Sequence, residues 1–329
     1  MPRARCSPPE PARLLDVDAL DALDLSRGRE PGPLVDSVRR LGLLRPLWTA
    51  PGPGGRPLVI AGSRRLAALR TLGVREAPCV AAPEPAGEAS FPDAPSRLLT
   101  LAVTDNLDRG LNQAELALCW AWARKNCAAA ALPGIAELLG FKPRDRRLAA
   151  LEDSARLPPR ALDALAAGRL DLENAGPLMT MDGPERGMVL DLLARTGASR
   201  QDRRLWLEWL GDLGRLKGPG GVAGILASPE LASARGAGGR KTAGARLRAL
   251  RHPRLTELAA KRRDAVVKMA LPPGLKIEAD PELEDASCRM ELVFPDRETL
   301  RALAGKALEL AGSDELGELW LEDPGPPRS

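Results

Sequence analysis

The apolar run Leu58, Val59, Ile60 and Ala61 meets Gly62 and passes directly into Ser63, Arg64, Arg65, Leu66, Ala67, Ala68 and Leu69. A short apolar strand that turns at a glycine into a helix commits this part of the chain to a mixture of strand and helix. The same turn is built for an anion. Helix N-termini carry unpaired N–H groups and a partial positive charge, glycine lets the backbone approach closely, and two arginines add bidentate donors suited to phosphate. On these residues alone two readings stand: a phosphate-binding turn, or the solvated basic start of a surface helix.

Composition bounds the possibilities. A chain of 329 residues holds two or three domains. The net charge of +4 permits nucleic-acid binding, and its placement says more than its size. Between Arg235 and Arg263 ten basic residues face one acidic residue, Glu257, whereas Glu278 to Asp323 holds fourteen acidic and four basic residues, which implies separate surfaces. The five cysteines, Cys6, Cys79, Cys119, Cys127 and Cys288, form no CxxC pair, and the single histidine is His252, so the spacing of a zinc site is missing. Cys119 and Cys127 sit in an Ala- and Trp-rich helical stretch and read as packing residues. The first nine residues lack the apolar core of a signal peptide and no run reaches membrane-spanning length, so a reduced, cytoplasmic setting without membrane contact is expected.

Along the chain, residues 1–30 are proline-rich and read as a loose lead-in, with Leu14, Leu20, Leu23 and Leu25 available for local packing. Residues 31–111 mix helix and strand, with a turn at Pro51 to Gly55 and a loop from Pro83 to Pro95. Residues 112–212 read as consecutive helices. Within them Ile135 to Gly140 is apolar on one face and ends at glycine, and Phe141, Lys142 and Pro143 make a turn whose proline suits a first helical position. The helix after it carries Arg144, Arg146 and Arg147 outward and Leu148 and Leu151 inward. It is either a DNA-reading helix or a solvated basic helix. Residues 213–244 form a Gly-, Lys- and Arg-rich linker, its charges either holding DNA phosphates or solvating the chain. Residues 245–329 form a small α/β unit: a helix over 246–270, strands at 275–279 and 288–293, and a helix capped by Asp296 and running to Leu310.

Three blocks, in order, carry a family resemblance. Leu34 to Trp48 is an amphipathic helix followed by Gly42 and an extended segment. The second block is Gly62-Ser63-Arg64-Arg65, and the third is Asp105-Asn106-Leu107-Asp108-Arg109. The order and spacing resemble the N-terminal domain of ParB-type partition proteins, which read Gly-Glu-Arg-Arg and Glu-Asn-Leu-Gln-Arg in the second and third blocks. The likeness extends to about residue 190. Ser63 stands where the family has glutamate, Asp105 where it has glutamate, Asp108 where it has glutamine, and Asn174 where it has histidine.

The resemblance implies an α+β chain with a ParB/sulfiredoxin-like N-terminal domain, an all-helical helix-turn-helix domain and a small C-terminal dimerisation domain. It implies a pocket for CTP and magnesium. Gly62 would allow close approach, with Ser63 capping the helix and Arg64 and Arg65 holding the triphosphate. Arg109 would serve phosphate or pair with Asp108. Asn106 would reach magnesium through its side-chain oxygen, and Asp105 would position water for slow CTP hydrolysis. It further implies that Lys142, Arg144, Arg146 and Arg147 meet double-stranded DNA, that the protein is a homodimer, and that a ParA-type ATPase is its partner. Two alternatives remain open on the residues: a nucleotide-free transcriptional regulator on the same scaffold, to which Ser63 and Asp108 point, and a kinase or nuclease on the sulfiredoxin-like fold.

Overall fold

Apolar residues on both sides of the run 57–61 decide the N-terminal architecture. In the computed structural model, which describes residues 11–23, 25–28, 32–52, 55–83, 91–279, 288–317 and 319, that run is an inner strand. Strands β1 (Arg13–Asp16), β2 (Asp21–Ala22), β3 (Leu47–Pro51), β4 (Pro57–Ala61) and β5 (Glu76–Ala81) make one sheet in the order β1-β5-β3-β4-β2. The β3–β4 and β1–β5 pairs are antiparallel, and the β2–β4 and β3–β5 pairs are parallel. Because side chains alternate along a strand, Val59 and Ile60 enter opposite cores. Val59 packs with Val35, Val38, Leu66 and Leu69 from helices α1 (Gly32–Leu41) and α2 (Ser63–Thr71). Ile60 packs with Ala50, Leu23 and Ala102, the last from helix α3 (Ala94–Thr104). Each fully buried Leu or Val in these cores contributes about 1.5–3 kcal/mol.

The N-terminal lead-in expected over 1–30 is corrected by this sheet. β1 and β2 are two of its strands, Val17 and Leu20 are buried, and Leu23 donates its N–H to Val59 O at 3.0 Å. The strands were hidden because β1 lies at the sheet edge, where its Leu14 stays exposed and no apolar alternation shows. Residues 1–10 with Cys6, and parts of the turn and loop expected at 51–55 and 83–95, lie outside the described residues.

Helices follow. Helices α4 (Gln113–Asn126), α5 (Leu132–Leu138) and α6 (Arg147–Ala155) share a core with α3 through Leu99, Val103, Trp120, Ile135, Leu148 and Leu151. The next helices are α7 (Pro159–Ala166), α8 (Ala175–Met179), α9 (Gly183–Thr196), α10 (Arg200–Lys217), α11 (Gly221–Leu226), α12 (Pro229–Ala232) and α13 (Gly236–Arg251), and they share a larger core. The expected linker over 213–244 is thus corrected. Val222, Ile225, Leu226, Leu231 and Ala243 are buried in that core, and Leu247 beyond 244 is buried with them. Glycines at 218, 220 and 236 take positive φ and turn the chain between short helices. A composition that reads as flexible is the punctuation of packed turns.

The C-terminal unit matches its expected elements with one change. The single helix expected over 246–270 is two, because Pro253 cannot continue α13 and instead opens α14 (Pro253–Lys268). Strands β6 (Leu275–Ala279) and β7 (Cys288–Leu292) pair antiparallel, Leu275 opposite Leu292. Asp296 caps α15 (Arg297–Ala311), accepting from the N–H of Thr299 at 2.7 Å.

Candidate functional site

The glycine turn and the end of α3 face one another across a cavity of about 230 Å³. Gly62, Ser63, Arg64, Arg65, Asp105, Asn106 and Arg109 all line it, so the seven residues expected at the site come together. The turn requires glycine. Gly62 has φ +107°, and a methyl group there would lie 2.8 Å from Leu47 Cδ2 and 3.0 Å from Arg65 Cζ. Gly62 is also the N-cap of α2 and contributes no side-chain bond to it. Ser63 is the first helical residue, one position too late to cap, which corrects its expected role. The first N–H groups of α2 therefore lack a side-chain cap at the cavity wall.

Arg65 ties the turn into the fold. Arg65 Nη1 donates to the carbonyl oxygens of Arg45 and Pro46 at 2.8 and 2.6 Å, tying α2 to the segment before β3, and its Nη2 lies 3.9 Å from Asp105 Oδ2. Burial pulls this guanidinium below its ordinary value while Asp105 opposes the shift, and it stays charged. Arg64 shares the cavity wall.

Across the cavity, Asn106 Nδ2 donates to Ala102 O at 2.7 Å, closing the last turn of α3, and its Oδ1 accepts from Arg109 Nε at 2.5 Å. Arg109 Nη1 donates to both carboxylate oxygens of Glu115, at 3.1 and 3.0 Å. Glu115, not Asp108, is the acidic partner of Arg109. Asp108 is exposed and does not line the cavity. Glu115 is fully buried, and its Oε2 accepts from the N–H of Asn112 at 3.0 Å while Asn112 Oδ1 accepts from the N–H of Glu115 at 2.9 Å. This reciprocal box opens α4. Burial, with Glu115 beside it, pushes the Cys119 thiol up to about 12, so this wall residue is a packing group and no nucleophile. Burial likewise pushes Cys127 up to about 11.

Reasoning from the sequence missed Glu115, whose signal was the Asn112-to-Glu115 spacing of a capping box. It also missed Leu23, Leu25 and Ser26, which line the cavity from the segment after β2 and carry no motif.

The basic residues expected on a recognition helix are exposed but mostly precede it. Lys142, Pro143, Arg144 and Arg146 lie in the turn, and α6 begins at Arg147. Pro143 does not start the helix: the N-cap is Arg146, without a side-chain cap, and Asp145 just before it accepts from the N–H of Arg147 at 2.9 Å. The same carboxylate pairs with the Arg147 guanidinium at 2.8 Å, which stands 4.9 Å from the Phe141 ring centroid. That pairing, with the bond from the Arg147 N–H, holds the Asp145 carboxyl at about 2. Asn174 is buried and bonds the N–H of Asp171 at 2.9 Å, a packing role.

Among the described residues no cluster of three or more His, Cys, Asp or Glu is placed for a metal, and no helix is long and apolar enough to cross a membrane. Asp105 and Asn106 supply one carboxylate and one amide oxygen at the cavity. The Asp105 carboxylate is the kind of ligand magnesium takes beside phosphates, while the Asn106 oxygen is engaged by Arg109 Nε.

No family model and no curated protein matches the chain. Among solved structures, it is similar to the C-terminally truncated chromosome-partitioning protein ParB from Caulobacter crescentus complexed to the centromeric parS site. That match has 19% identity and a TM-score of 0.29, covering 60% of this chain and 98% of that one. It is also similar to the truncated Caulobacter ParB complexed with CTP-gamma-S, at 21% identity and a TM-score of 0.24, covering 56% and 98%. Superpositions this loose carry no functional argument by themselves.

Proposed function

We propose that this chain is a ParB-type DNA-binding protein of chromosome or plasmid partition, in which CTP bound with magnesium gates a clamp on DNA. The observation that carries the reading is the convergence of the second and third sequence blocks on one cavity. Its walls present Arg64, Arg65 and Arg109 against the carboxylate of Asp105, beside the N-terminus of α2, which is the electrostatic setting of a polyphosphate. Asp105 and Asn106 Oδ1 would hold magnesium, whose chemistry is to neutralise phosphate charge. Asn106 must then give up its bond from Arg109. Asp105 would orient water for slow hydrolysis. Lys142, Arg144, Arg146 and Arg147 would contact DNA from the turn and first residue of a helix-turn-helix formed by α5 and α6, and α14 to α15 would pair two copies. A ParA-type ATPase is the expected partner, and the nucleoid of the cytoplasm the expected place. Triphosphate would favour the closed clamp only through contacts absent from the open one.

A nucleotide-free regulator on the same scaffold has one observation in its favour: Asn106 Oδ1 and two nitrogens of Arg109 are satisfied within the protein. Retention on DNA separates the two readings. With CTP and magnesium, protein loaded on a closed circle carrying a selected site is expected to survive a high-salt wash and to be lost when the circle is cut. Equal retention on circular and linear DNA, unaffected by CTP, would establish the regulator instead.

A further inference from the structure

The buried acid beneath the cavity has no part in the reading above, although its carboxylate is bonded from three sides. Glu115 is fully buried, yet it takes two bonds from Arg109 Nη1, one from the N–H of Asn112 and one, at 3.5 Å, from Ser26 Oγ. A helix cap needs no charge and no second basic partner. Burying a carboxylate is costly unless it is paired, and the pair formed here points one way, because Arg109 lines the cavity while Glu115 lies behind it. Held by Nη1 to Glu115, Arg109 is turned so that its Nε reaches Asn106 Oδ1, whereas Nη2 takes part in none of these bonds. The segment after β2 is drawn to the same point, since Asn112 Nδ2 donates to Arg27 O at 2.9 Å.

We propose that Glu115 is a positioning residue of the cavity: it holds Arg109 as the arm that meets a bound phosphate. The proposal rests on the nucleotide reading of the cavity. A freely rotating arginine would have to be ordered by the ligand at the ligand's expense, and a guanidinium already fixed by a buried carboxylate avoids that cost.

The test is a double-mutant cycle on the full chain, with CTP titrated in the presence of magnesium. Glu115→Gln keeps the volume and an oxygen for the Asn112 N–H but loses the charge. It is expected to weaken CTP binding by about tenfold in the otherwise unchanged protein and to have no further effect in Arg109→Ala. Glu115→Asp, which restores the charge, is expected to recover part of the loss. Equal losses with and without Arg109 would overturn the positioning role and leave only a structural one. Absence of CTP binding by the unsubstituted chain would instead sink the nucleotide reading. A second readout needs no change at Glu115. The Arg109 Nε–H resonance, assigned by its loss in Arg109→Lys, should be protected from exchange in the free protein and should shift when CTP and magnesium are added. Exchange as fast as that of exposed arginines, or no shift at a CTP concentration that saturates the protein in the titration, would overturn the proposal.

Discussion

At the scale of single residues, Arg65 of the glycine turn serves two ends. Arg65 is anchored by two backbone carbonyls and so belongs to the fold as well as to the cavity. Arg65→Ala is expected to cost stability as well as binding, about 1.5–3 kcal/mol by urea denaturation, the range for hydrogen bonds from a charged group. Gly62→Ala is expected to be the harsher change. The left-handed backbone costs an L-residue about 1–2 kcal/mol, and the contact forced on Leu47 adds roughly 1–3 kcal/mol. The strand-to-helix turn at Gly62 was legible because an apolar run that ends at a glycine before a helical pattern has few other ways to fold. Glu115 was not, because a capping box and a buried counter-charge share one spelling.

At the scale of elements, the start of α6 is set by one carboxylate. Asp145 accepts from the Arg147 N–H and pairs with its guanidinium, and these bonds hold the carboxyl at about 2, below its ordinary value of 3.8. The sign follows from linkage. A depressed folded-state value contributes stability that is full above 3.8 and is lost as pH falls through about 2. Amide-exchange protection of the first turn of α6 is therefore expected to fall between about pH 4 and pH 2, and Asp145→Asn is expected to remove that step. Elements with strong periodicity were readable: α1, β4, α15 and the β6–β7 hairpin fall where the pattern placed them. The 213–244 stretch was misread because glycine serves equally in a flexible linker and in tight turns between buried helices, and only the tertiary partners of Ile225 and Leu231 tell them apart. β1 and β2 were missed because an edge strand and a two-residue strand carry too little pattern.

At the scale of the whole molecule, the boundaries of the cores decide where the chain can be cut. Ala243 and Leu247 of α13 belong to the helical core, so a truncation at 245 would break it, whereas the break at His252 and Pro253 separates that core from the one formed by α14, the β6–β7 hairpin and α15. In that last unit Val267, Val293, Phe294 and Leu308 are exposed. Removing residues 253–329 is expected to convert a dimer to a folded monomer in light scattering, and one mass per chain for the intact protein would refute the dimer. The central claim, that the cavity between the glycine turn and the end of α3 takes a nucleoside triphosphate, is tested most directly by calorimetric titration of CTP with magnesium into the intact protein and its Arg64→Ala and Asn106→Ala variants. Binding is expected for the intact protein, weakened by about tenfold to a hundredfold in Arg64→Ala, as a lost charge-assisted contact requires, and weakened and indifferent to magnesium in Asn106→Ala. Heats no different from dilution for the intact protein, with or without DNA, would contradict it.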